Sequence, residues 1–104
     1  MDAVTALSGS GPAYFLYLAE CMAEAAMKVG LPKDQAERLA GQTLYGAGRL
    51  LHESDASAAE LRERVTSKGG TTSAALDTFR SRGFQETVEA GVEAATSRSK
   101  ELGL

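Results

Sequence analysis

The stretch Ala13-Tyr14-Phe15-Leu16-Tyr17-Leu18-Ala19-Glu20-Cys21-Met22-Ala23-Glu24-Ala25-Ala26-Met27-Lys28-Val29 has fourteen apolar residues in seventeen. Its three exceptions, Glu20, Glu24 and Lys28, are spaced four apart. On a helix that spacing gathers them into one narrow polar stripe, with Glu24 and Lys28 in the favoured acid-before-base order. A helix apolar on its other faces has to bury them. The segment is too short and too charged to span a bilayer. It follows Ser8-Gly9-Ser10-Gly11-Pro12, where Ser10 or Gly11 suits an N-cap and Pro12 the first helical position. Gly30 should end the helix, and Pro32 should start the next.

Four further helical blocks follow. From about Pro32 to Glu53, Ala36, Leu39, Ala40, Leu44, Ala47, Leu50 and Leu51 share one face at spacings of three and four. Gly41, Gly46 and Gly48 each cost up to about 1 kcal/mol in a helix interior, which suggests close packing at that point. Ser57-Ala58-Ala59-Glu60 is a capping-box pattern that leads into Leu61 and Val65. Gly69-Gly70 breaks the chain, and Thr71 or Thr72 can cap a fourth helix that turns Ala75, Leu76 and Phe79 inward. Gly83 suits a helix end, and Phe84 to about Leu102 carries Phe84, Val88, Val92, Ala95 and Leu102 on one face. Ile and Trp are absent, and no stretch alternates apolar and polar for long. The expected architecture is an all-α bundle of about five helices in a single domain over residues 1–104.

Composition narrows the function classes. At 43% hydrophobic and 24% charged the chain has ordinary globular usage. For 10.9 kDa, area scaling gives roughly 5,600 Å² of folded surface, or about 65% of the unfolded surface buried, enough for one small core. Eleven Lys and Arg against fourteen Asp and Glu give a net charge of −3 with no basic stripe, which argues against nucleic acid. The single cysteine, Cys21, cannot form an internal disulfide and reads as reduced core filler. No secretory or transit segment opens the chain, so a cytoplasmic location is expected, with no membrane partner. Five helices in 104 residues make a thin bundle around so apolar a first helix. A second copy supplying the missing wall, most simply as a twofold homodimer, is the expected remedy.

Little in the chain points to catalysis. His52, the only histidine, falls near a helix C-terminus without companions, so it reads as structural or exposed, and no metal-ligand spacing occurs. No base with an orienting carboxylate supports a nucleophile. Two segments rise above this background, Ser8-Gly9-Ser10-Gly11-Pro12 and Thr66-Ser67-Lys68-Gly69-Gly70-Thr71-Thr72, each a Gly/Ser/Thr loop leading into a helix N-terminus. Unpaired N–H groups and the helix dipole welcome a carboxylate or phosphate there, and glycines admit close approach. Such a segment, taken alone, is more often a plain turn with a cap than an anion site. Neither follows the phosphate-loop or dinucleotide pattern.

At these same segments the sequence resembles a family. Asp2-Ala3-Val4-Thr5-Ala6-Leu7-Ser8-Gly9-Ser10-Gly11-Pro12-Ala13-Tyr14, Gly30-Leu31-Pro32, Val65-Thr66-Ser67 with Gly69-Gly70-Thr71-Thr72, Gly83-Phe84 and Val92-Glu93-Ala94-Ala95 are similar, in order and spacing, to the C-terminal half of pyrroline-5-carboxylate reductase. The resemblance implies a helical domain that interlocks with its twin as a homodimer, in some members stacked into decamers. It also implies the reduction of 1-pyrroline-5-carboxylate to proline, the last step of proline biosynthesis, with NADPH or NADH held by an N-terminal Rossmann domain. Carried over, Ser67, Gly69, Gly70, Thr71 and Thr72 would hold the substrate carboxylate, with Thr72 near the ring nitrogen. Ser10, Gly11 and Pro12 would be structural, and no residue is assigned as catalytic. Lys68 departs from the family's usual proline, as does the region of Ala58.

No dinucleotide-binding unit is legible in residues 1–104, so the expectation is a dimerisation and substrate-binding domain with no cofactor of its own, inactive alone. Its partners would be itself and 1-pyrroline-5-carboxylate or proline. A self-associating helical scaffold with no ligand function is the competing expectation.

Overall fold

The computed structural model describes residues 1–66 and 70–103. Among them every regular element is helical: α1 (Asp2–Val4), a π-helical turn (Thr5–Gly9), α2 (Gly11–Lys28), α3 (Lys33–Glu53), α4 (Ala58–Thr66), α5 (Gly70–Ser81) and α6 (Phe84–Glu101). The five long helices match the five expected blocks. The chain divides into two compact units, Gly11–Asp55 and the combination of Met1–Ser10 with Ala56–Leu104.

The first of these units is the hairpin of α2 and α3. At its bend the Gly30 N–H donates to the Met27 carbonyl at 3.1 Å and the Leu31 N–H to the Ala26 carbonyl at 3.0 Å. This is the Schellman arrangement, which satisfies the last carbonyls of α2 and needs a left-handed residue, and Gly30 has φ 114°. Pro32 is extended and acts as the N-cap, its carbonyl accepting from the Ala36 N–H at 2.9 Å, so α3 begins one residue later than expected.

The hairpin buries little. Ala23 and Ala36 are its buried apolar side chains, while Phe15, Leu16 and Tyr17 are 60%, 64% and 66% exposed. Ala19, half-buried, and Ala23, buried, line an open groove beside α3, which Leu16, Met27 and the exposed Glu20 and Glu24 also line together with Lys33 and Glu37. Most of the large apolar residues of α2 stay exposed. Cys21 is exposed rather than core filler. Close packing at Gly41, Gly46 and Gly48 is also not supplied by this chain: a Cβ at any of them would meet nothing within 4 Å.

In the second unit the leading segment and α4 pack with the two C-terminal helices. The Ser10 N–H donates to the Thr5 carbonyl at 2.9 Å, five residues back, and the Ser8 hydroxyl donates to the Val4 carbonyl at 3.0 Å. The expected Gly/Ser loop before α2 is therefore a wide helical turn, with the Ser8 hydroxyl and the Ser10 N–H each donating to a local carbonyl. Ala6, on that turn, is 1% exposed, and the segment packs against α6. Ser99 of α6, 4% exposed, donates its hydroxyl to the Asp2 carboxylate at 2.7 Å. Between α5 and α6, Gly83 takes φ 78° and the rings of Phe79 and Phe84 stack with centroids 5.5 Å apart and planes 21° apart. Leu61 of α4 is buried, and α4 packs on α5. Leu76, Val92 and Ala95 are half-buried, as their periodicity suggested, but Ala75, Phe79, Phe84, Val88 and Leu102 stay exposed.

Candidate ligand seat and self-association face

α4 starts as its sequence dictates. The Ser57 N–H donates to Glu60 Oε1 and the Glu60 N–H to Ser57 Oγ, both at 3.1 Å. The backbone N–H of Ser57, helped by its hydroxyl, holds the Glu60 carboxyl below its ordinary pKa. A helix so fixed at its start ends at Thr66, whose hydroxyl donates to the Arg62 carbonyl at 2.7 Å.

The expected ligand residues Ser67 and Gly69, with Lys68 between them, lie outside the described residues. Gly70, Thr71 and Thr72 form the first turn of α5. Thr71 and Thr72 are thus inside the helix and not its caps. That placement suits an anion through the backbone: the first N–H groups of a helix have no intrahelical acceptor, and the dipole adds partial positive charge. Gly70 and Thr71 are exposed and Thr72 is half-buried.

Ser10 is the C-cap of the π-helical turn, and Gly11 and Pro12 open α2. His52 is exposed near the end of α3, one turn from the exposed Arg49–Glu53 ion pair at 3.1 Å. Among the described residues no group of three or more His, Cys, Asp or Glu is placed to hold a metal ion. Among the described residues no helix is long and apolar enough to cross a membrane.

Much of the exposed surface of the α2–α3 hairpin is apolar. Phe15, Leu16, Tyr17, Leu18 and Met22 on α2 are joined by Leu39, Tyr45, Leu50 and Leu51 on α3, all at least 37% exposed. Exposed large apolar side chains grouped on one hairpin mark an interaction surface. Periodicity had indicated that α2 needs cover, and the exposure of its large apolar residues agrees. Ser99 was missed altogether, because nothing local distinguishes it from Ser97 on the same helix.

Residues 1–102 match the family model described as pyrroline-5-carboxylate reductase dimerisation. The chain is 50% identical over 102 residues to the pyrroline-5-carboxylate reductase of Pseudomonas aeruginosa, covering 98% of this chain and 37% of that protein. The corresponding protein of Synechocystis is 43% identical over 103 residues, covering 99% and 39%. Among solved structures, pyrroline carboxylate reductase of Plasmodium falciparum with NADP bound superposes with a TM-score of 0.91 at 36% identity, over 100% of this chain and 40% of that one. A pyrroline-5-carboxylate reductase from Coxiella burnetii gives 0.91 at 44% identity, over 97% and 37%. The chain thus spans about two fifths of the length of these relatives.

Proposed function

Because the chain belongs to the pyrroline-5-carboxylate reductase dimerisation family, we propose that it is the C-terminal, dimerising and substrate-holding part of a reductase that converts 1-pyrroline-5-carboxylate to L-proline. The observation that supports this most is the family match over residues 1–102 together with the outward apolar faces of α2 and α3. A second copy of the chain covers those faces. Each copy contributes an α5 N-terminus at which the backbone N–H groups near Gly70 receive the carboxylate of the small ring. The Thr72 hydroxyl lies toward the ring nitrogen. NADPH or NADH is held by another part of the reductase, and the chain alone is inactive. What it contributes to the reaction is placement of the acid and a fixed twofold frame.

Titration of proline into the purified chain, followed by amide NMR, tests the ligand half of this reading. Shifts confined to Gly70, Thr71 and Thr72 are expected, weakened in Thr72→Val. Absence of shifts at high millimolar proline would leave a self-associating scaffold with no ligand role.

A further inference from the structure

The segment Met1–Ser10 has little to hold it in place by itself. α1 is three residues long, well short of the length at which a helix sustains itself in water. Its position comes from α6. Ala6 is 1% exposed, and Ser99, among the described residues the one buried polar side chain, spends its hydroxyl on Asp2, 97 residues away. A hydrogen bond to a carboxylate is among the stronger kinds, and here one partner is almost wholly shielded from water. The same α6 packs against α5, whose first turn carries Gly70, Thr71 and Thr72, and the Phe79–Phe84 stack fixes the bend between the two helices. Both the leading segment and the ligand turn are therefore referenced to one helix.

We infer that Asp2 and Ser99 form a latch that fixes the leading segment on α6, and that in the intact reductase they are positioning residues, setting the part of the enzyme joined at that segment relative to the acid held at Gly70–Thr72. The second half rests on the function proposed above. Opening the latch does not touch the acid's own contacts. It lets the leading segment swing, and displacement of about 1 Å between reactants can cost on the order of a hundredfold in rate.

Two measurements test this separately. In the 104-residue chain, Ser99→Ala should speed hydrogen exchange of the Thr5 and Ser10 amides about tenfold, as expected for loss of one carboxylate-bound hydroxyl. The Leu31 amide at the α2–α3 bend should stay unchanged, and Ser99→Thr should restore protection. Unchanged exchange at Thr5 and Ser10 would overturn the latch. Asp2→Ala, at a half-buried position, gives the same readout if Ser99→Ala fails to fold. In the intact reductase carrying this chain, Ser99→Ala should lower kcat about tenfold with KM for the imine acid held within about twofold, and Ser99→Thr should restore kcat. An unaltered kcat in a variant whose Thr5 and Ser10 amides have opened would overturn the positioning role. An intact protein with no reductase activity would instead overturn the proposed function and leave the latch to stand on exchange alone.

Discussion

Ser57 and Glu60 satisfy each other across the first turn of α4, each accepting the other's backbone N–H at 3.1 Å. Because the Ser57 N–H and hydroxyl favour the charged carboxylate, Glu60 titrates below its ordinary value in the folded chain. Its contribution to stability is present in full above the unfolded pKa and is lost as pH falls through the folded one. Thermal melts of Ser57→Ala against the parent should show a loss of about 1 kcal/mol near neutrality, from the missing serine cap. The gap should narrow in acid. A gap that widened as pH fell would contradict the reciprocal arrangement.

Gly30 closes the α2–α3 hairpin at φ 114°, where an L side chain is strained even though nothing within 4 Å would clash with a Cβ. Gly30→Ala should destabilise the chain by about 1–3 kcal/mol, read from urea unfolding. Gly41→Ala serves as the control on the same hairpin. Its position is helical and equally open, so in the monomeric chain alanine should be neutral to stabilising. If alanine at Gly41 weakens association instead, the close packing expected from the glycines of α3 is supplied by a second copy.

Leu18 is 37% exposed on α2, so a charge there is tolerable in an isolated chain and costly under a partner. Leu18→Glu should shift the chain to monomer while preserving helical circular dichroism, because a carboxylate buried without a counter-charge is strongly unfavourable. Light scattering that still showed a well-folded dimer would remove α2 from the interface.

The features legible in sequence were those written within a turn or two of one another. The Ser57–Glu60 box, the helix ends at Gly30 and Gly83, and the alignment of Ala36, Ala40 and Leu44 all follow from local chemistry and period. Ser8-Gly9-Ser10 was ambiguous because serine and glycine suit a loop and a wide turn equally, and only the reach of the Ser10 N–H to Thr5 decides between them. Thr71 and Thr72 fall one or two residues inside α5 because helix starts are poorly fixed by sequence alone. The Asp2–Ser99 bond was invisible for a different reason: its partners meet only after α6 has folded against the leading segment. The exposure of Cys21 likewise depends on which face of α2 turns to α3, a choice made by the whole hairpin.

Self-association underlies the rest, since the outward faces of α2 and α3 have no cover in one chain. Multi-angle light scattering on the purified chain measures it directly. A mass of twice 10.9 kDa, or a higher even multiple, is expected at micromolar concentration. A cooperatively melting species of 10.9 kDa would contradict it.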